Sequence, residues 1–264
     1  MSAVVADLVD QVRGGAFGLP TDNEVSVGFT TRQAVRHDTR GTGYRNEVLS
    51  LRVGRAVGSC AVEPGTVDDD LVYDCIGAPV DALFDHPVPA VRVAALDAYL
   101  MAARPHEEHA DDNVRIDQGT SLEKSLVRAG HVIDLLGAMP GQRVLVVGVV
   151  NSLLHHLRDR GIHYRPCDLR GGRTEWGERI SNDADLTGCD AVLATGMTLG
   201  NGSFETLRAT AVAAGVPLVM FAQTGSAVLP CLLGTGVTAV CAEPYPFFWL
   251  DGGPTVLHRY REAR

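Results

Sequence analysis

Apolar residues recur at Val4, Val5, Leu8 and Val12, the spacing of one helix face, so residues 3–13 are predicted helical. The pattern then changes period. "VSVGFTTRQAV" (25–35) and "NEVLSLRVG" (46–54) are rich in β-branched residues and read as strands, with "HDTRGTG" between them as a turn. "RAVGSCAVEPG" (55–65) reads as a further short strand stopped by Pro64 and Gly65. A helix is predicted over about 68–84. Another is predicted over "PAVRVAALDAYLMAA" (89–103), where Pro89 suits a first helical position. That second helix is apolar around most of its circumference, the mark of a helix buried between layers.

The segment "RPHEEHADDNVRIDQGTS" (104–121) is polar and densely charged, and reads as a connector between domains. "SLEKSLVRAGHVIDLLGAM" (121–139) is predicted helical, with Ser121 as N-cap. Lys124 then stands where a capping box would place Glu, so the start signal is partial.

Strand and helix alternate from there on. "RVLVVG" (143–148) is a continuous apolar run, as expected of a strand buried on both faces. "SLLHHLRDRG" (152–161) reads as a helix closed by Gly161. "IHYRPCDL" (162–169), "DAVLAT" (190–195), "PLVMFA" (217–222) and "VTAVCA" (237–242) read as strands. "FETLRATAVAAG" (204–215) and "AVLPCLLGTG" (227–236) supply the helices between the last three. Such alternation implies a parallel sheet with right-handed crossovers. The predicted class is α/β: a small N-terminal α+β domain over 1–104, a connector and helix over 105–139, and a Rossmann-like parallel-sheet domain over 140–264.

Composition narrows the function classes. With 45% hydrophobic and 21% charged residues in 264, the chain has the make-up of an ordinary soluble globular protein. A formal net charge of −9 argues against nucleic acid as a partner, since phosphate binding draws on Lys and Arg. The start, "MSAVVADLVDQVRGG", lacks a basic region followed by a long apolar core, and no run is long enough to span a bilayer. Cys60, Cys75, Cys167, Cys189, Cys231 and Cys241 form no C-x-x-C pair and read as reduced, mostly buried thiols of a cytoplasmic protein.

The run "RVLVVGVVNSLLHHL" opens like a dinucleotide site but carries one glycine of the three. Counting from Gly148, the second position is Val150 and the third Leu153, so classical NAD binding is not expected. The G-x-G-x-G variant fails at Val150 and Ser152. Asp168 does lie 20 positions after Gly148, where an acid would meet a ribose hydroxyl. Arg170 and Arg173 follow it, suited to a carboxylate or phosphate or to pairing with Asp168 and Glu175.

The turns after the third and fourth strands are better equipped. "LATGMTLGNGSFETL" sets Thr195, Gly196, Thr198, Asn201, Gly202 and Ser203 between a buried strand and a helix, a combination that cradles anions or caps a helix. "AQTGSAVLP" repeats the arrangement with Gln223, Thr224, Gly225 and Ser226. With Gly148 to Asn151, these turns meet at the carboxyl edge of a parallel sheet, where ligands usually bind.

The order "RVLVVG…CDL…LTGCDAVLATGMTLGNGSFETL…VPLVMFAQTGSAVLP…GTGVTAV" resembles a prokaryotic heavy-metal chelation family. "ATGMTLGNGSFETL" is the most specific match and "GSAVLP" the next. The resemblance covers nearly the whole chain, and "VPAVRVAALDAYL" is similar to the small-residue helix of that family's first domain. It implies an enolase-N-terminal-like domain followed by a Rossmann-like one, a cleft between them, and a metal or metal-chelating small molecule as ligand. Relatives carry a His and an aromatic residue after the glycine of the first strand; here Val149 and Val150 stand there, so a metal role for that turn does not follow.

Among potential metal ligands "RPHEEHADDN" is the densest group. His106 and His109 are spaced to share a helix face, with Glu107, Glu108, Asp111 and Asp112 adding oxygens. The second His comes one position too early for H-E-x-x-H, so no zincin mechanism follows, and a solvated linker is the plainer reading. His155 and His156 are adjacent on a helix and face different directions. Tyr44, Arg45 and Glu47 fall near the N-terminal turn and are candidates to face the cleft, while "EPYPFFWLDGG" (243–253) reads as a pocket wall, core packing or a homodimer contact.

The expectation is a protein that binds a small polar or anionic molecule, metal-chelating or not, between its two parts at the carboxyl edge of the sheet. An enzyme of small-molecule metabolism or biosynthesis is favoured, its catalytic residues and cofactor unnamed, with a divalent transition metal as one candidate. The alternatives are a non-catalytic metal or metallophore binder and a nucleotide- or S-adenosylmethionine-dependent enzyme.

Overall fold

The computed structural model describes residues 3–20, 23–36, 43–245 and 252–263; the side chain of Tyr44 lies outside this description. Residues 37–42 of the turn read at "HDTRGTG" and 246–251 of "EPYPFFWLDGG" fall outside the described residues. Helix α1 (Ala3–Arg13) buries Val5, Leu8, Val9 and Val12, the apolar stripe of the sequence. Strands β1 (Val25–Val35), β2 (Tyr44–Val53) and β3 (Ala56–Val62) form an antiparallel sheet in chain order.

The helix expected over 68–84 is two short pieces, α2 (Asp69–Asp74) and α3 (Val80–Leu83). Gly77, at φ 79°, and Pro79 between them stop a continuous helix. Helix α4 (Pro89–Ala103) has the predicted bounds and is buried on nearly every side. It lies against β3, where Gly58 permits the approach: a Cβ there would fall 1.8 Å from the backbone nitrogen of Ala98.

The charged segment read as a connector is structured. It holds one helical turn, α5 (His106–His109), and strand β4 (Asp112–Ile116). β4 is the outer strand of the large sheet, and charged residues are what edge strands carry to avoid pairing with other chains. Helix α6 (Ser121–Leu136) is capped by Thr120, one residue earlier than read. That shift makes Glu123 the N3 residue and completes a capping box, with Thr120 N–H donating to Glu123 Oε2 at 2.8 Å.

The remaining elements are β5 (Arg143–Val147), α7 (Asn151–Asp159), β6 (His163–Cys167), a small hairpin of β7 (Gly172–Arg173) and β8 (Arg179–Ile180), β9 (Ala191–Thr195), α8 (Met197–Gly200), α9 (Phe204–Ala214), β10 (Leu218–Ala222), β11 (Ala239–Ala242) and β12 (Thr255–Arg261). Among the described residues the large sheet has seven strands in the order β4-β12-β11-β10-β9-β5-β6. β6, β5, β9, β10 and β11 run parallel, as predicted. β12 is antiparallel to both β11 and β4, so the sheet is mixed at one side. "TVLHRYR" went unread as a strand because it follows the aromatic segment with no helix before it.

The helix expected over 227–236 is a single 3-10 turn, Leu229–Leu232. Pro230, Gly234 and Gly236 within ten residues leave no room for more. One apolar cluster runs from Leu49, Leu51 and Leu100 through to Val192, Met220 and Val240, joining the first sheet, α4 and the near face of the large sheet. A second, with Ile133, Leu154 and Leu193, fills the far face under α6 and α7. Each fully buried Leu or Val contributes about 1.5–3 kcal/mol.

Candidate functional site

The carboxyl ends of β5, β9, β10 and β11 carry the turns that the sequence singled out. Gly148 sits at φ 82° and a Cβ there would come within 2.4 Å of Thr195 Cγ2, so the two strand ends close on each other. Asp168 is spent on its own neighbourhood: Oδ1 accepts from Arg170 N–H at 3.0 Å, and Oδ2 faces Val149 N–H at 3.5 Å. Arg170 reaches Glu63 beyond β3, and Arg173 donates to the Gly177 carbonyl, so neither makes the expected pair with Asp168 or Glu175. Asn151 begins α7, with Oδ1 facing the Glu175 N–H.

In the turn after β9, Thr198 donates its hydroxyl proton to the Thr195 carbonyl at 2.8 Å, and Asn201 Oδ1 accepts from Ser203 N–H and Oγ. These bonds close the turn on itself. Gly196 is pressed against β10, with the Thr224 carbonyl 2.4 Å from its would-be Cβ, and Gly202 adopts φ 79°. Gly200 packs on Cys60 of β3.

The turn after β10 does hold a carboxyl group, and it belongs to the chain. Asp97, the one acidic residue of α4, accepts from Ala227 N–H at 2.7 Å and from Ser59 N–H at 2.8 Å. The backbone N–H groups of Gly225 and Val228 also face it. Burial pushes this carboxyl up to about 7 against those donors, which favour its charged form. Gly225 N–H donates to the Ser59 carbonyl at 2.8 Å. The predicted cradle is thus the joint between the first sheet and the large one.

Beside that joint lies a polar seam that the sequence reading missed. Lys124 and Arg128 are one turn apart on α6 and point to the ends of β11 and β12. Arg128 grips buried Glu243 with Nη2 to Oε1 at 2.7 Å and Nε to Oε2, a bidentate pair. Gln223 Nε2 donates to the same Oε2 at 3.0 Å. Lys124 Nζ donates to the Gly253 carbonyl. Tyr245 packs on Val48, Ala61 and Met197, and its hydroxyl meets Thr31 Oγ1 and, at 3.4 Å, Gln33 Oε1. Burial raises the Tyr245 phenol above its ordinary value.

One buried side-chain atom here has no partner among the described residues, Gln33 Nε2; Glu47 Oε1, on the opposite face of β1–β2, also has none among them. Turning the Gln33 amide over exchanges the orphan but does not remove it. The other Glu47 oxygen meets Arg32 at 3.1 Å, and Arg45 is exposed. The signals for this seam were present: Glu243 directly follows a buried strand at the ligand edge, and Lys124 and Arg128 sit at i and i+4 on an amphipathic helix.

Of the proposed metal ligands, His106 and His109 line one small pocket with Cys231, and Glu107 does not. His106 is buried, with Nδ1 2.6 Å from the Tyr260 hydroxyl, Nε2 3.4 Å from Ser226 Oγ, and its ring stacked on His258. Burial and the neighbouring His258 hold it neutral, with a pKa lowered to about 3. Glu107 and His109 are exposed. Among the described residues no three His, Cys, Asp or Glu side chains come together to hold an ion. The six cysteines are all free. Burial pushes the Cys60 and Cys241 thiols up to about 12 and Cys231 up to about 11. The described residues therefore do not fit a resident heavy metal.

Among the described residues no helix is long and apolar enough to cross a membrane. Residues 131–242 match the profile of the DUF364 family, described as "putative heavy-metal chelation". No curated protein matches the chain. A DUF364 protein of unknown function from Desulfitobacterium hafniense aligns over 96% of this chain and 98% of its own, with a TM-score of 0.64 and 16% identity. One from Pyrococcus horikoshii aligns over 95% and 99%, with a TM-score of 0.54 and 14% identity. At these identities the likeness is one of fold. The family that the sequence motifs resemble is the family found by comparison.

Proposed function

We propose that this chain binds a small polar molecule in the seam between β1–β2 and the carboxyl ends of β10 and β11. The orphaned amide of Gln33 carries the reading. A buried polar atom left without a partner costs about 1–3 kcal/mol, a cost that a bound ligand relieves. Tyr245, Thr31 and the Glu243–Arg128–Gln223 network surround that amide or adjoin it with further donors and acceptors. These groups suit a compact molecule with several oxygens, such as a polyhydroxy or carboxylated metabolite. A metal, in this reading, enters already held by such a molecule, which reconciles the family's description with the scattered His and Cys residues.

The nucleotide alternative draws no support from Asp168, whose two oxygens face its own turn. The test is native mass spectrometry of freshly purified full-length protein beside Gln33→Leu and Tyr245→Phe. The wild type is expected to carry a non-covalent mass increment that both variants lose. Equal increments in all three proteins, or none in the wild type, would overturn the reading.

A further inference from the structure

A groove lies between α1 and α4 and the α8–α9 connection. Its volume is about 470 Å³, within the range of roughly 300–1,000 Å³ typical of small-molecule pockets. Ala3, Leu96, Leu199, Phe204 and Val228 give it apolar walls. Arg92 is the cation on its lining. The Arg92 guanidinium donates through Nη1 to the carbonyls of His86 at 2.7 Å and Pro87 at 3.3 Å, and meets no carboxylate among the described residues. The acid on the same lining, Glu205, is held by Arg208.

We infer that this groove is a binding site for an amphipathic carboxylate, its apolar body between α4 and α8–α9 and its carboxylate on Arg92. The two carbonyl bonds fix the guanidinium through one nitrogen and leave the edge of Nε and Nη2 for a planar anion, the geometry that Arg matches best. An amine of the same length would meet a like charge there, so the site distinguishes the two by sign. The inference does not depend on the polar seam, because no residue of the seam lines the groove.

Calorimetric titration of the full chain with octanoate and, separately, octylamine tests it. Saturable octanoate binding is expected, with octylamine at least tenfold weaker. Arg92→Met keeps the apolar stem and is expected to weaken octanoate at least tenfold. Since Arg92 also braces the 86–87 backbone, Ala3→Trp provides a second test: Ala3 is exposed on α1 and lines the groove, so an indole there is expected to narrow it. It is expected to abolish octanoate binding in a protein that still melts cooperatively. Gln33→Leu should leave octanoate binding unchanged, which separates failure at this site from failure at the seam. Absence of saturable octanoate binding, equal binding of the amine, or unaltered binding in Ala3→Trp overturns the inference.

Discussion

Asp97 is the most exacting place to perturb the joint between the two parts. Asp97→Ala removes an acceptor that takes Ser59 N–H at 2.8 Å and Ala227 N–H at 2.7 Å. At pH 5 the buried carboxyl is protonated, so each hydrogen bond contributes about 0.5–1.5 kcal/mol and the two shortest predict a loss of roughly 1–3 kcal/mol. The Val228 N–H also faces this carboxyl, while the Gly225 N–H keeps the Ser59 carbonyl as its acceptor. Equilibrium urea denaturation at pH 5 measures this. The pH dependence adds a sign. Burial raises this carboxyl from 3.8 to about 7 in the fold. Its contribution is therefore fully present below 3.8 and declines as pH rises through 7. The gap between wild type and Asp97→Ala should narrow by about 1.4 kcal/mol per pH unit between those limits. A loss below about 1 kcal/mol at pH 5, or a gap that widens from pH 5 to pH 8, would refute the reasoning.

Three further outcomes follow from the packing and the caps. His106 is held neutral with a pKa lowered to about 3, so its contribution is present above 6.5 and lost as pH falls. Between pH 6.5 and 4.5 the wild type should lose about 1.4 kcal/mol per unit relative to His106→Gln in paired denaturation curves. Gly58→Ala drives a Cβ to 1.8 Å from the Ala98 nitrogen and 2.5 Å from the Ala94 carbonyl oxygen. Neither backbone atom can swing aside, and a loss of about 3 kcal/mol or more is expected in thermal or urea unfolding. Thr120→Ala removes one side of the α6 capping box and should cost about 1 kcal/mol, against no change for Ser121→Ala.

Much of the fold was legible because its signals are local. The bounds of α1, β1 and α4 follow directly from apolar spacing, and β5, β9 and β10 from short apolar runs. The misreadings arise where tertiary position outweighs local composition. "DNVRI" looks like a linker until β12 pairs with it, and a strand that lies last in the chain but inside the sheet leaves no periodic trace. The site shows the same limit. Glycines, hydroxyls and amides after buried strands marked the carboxyl edge correctly, yet composition could not tell that Asp97, more than a hundred residues upstream, already occupies the cradle at Gly225 to Val228. Nor could it show that Tyr245 would reach Thr31 and Gln33 across two parts of the chain. A lone acid within "AALDAYL" was the readable hint of the first, since a carboxylate on an apolar helix needs a donor.

Gln33 Nε2 has no partner among the described residues, and a bound ligand is proposed to supply one. Measuring the stability and the ligand content of Gln33→Leu together tests it most directly. Removing an orphaned buried amide should raise the unfolding free energy of the ligand-free protein by about 1 kcal/mol. The same change should abolish the small-molecule mass increment carried by the wild type in native mass spectrometry. A variant that is less stable when ligand-free and retains the wild-type increment would show that no ligand meets this amide.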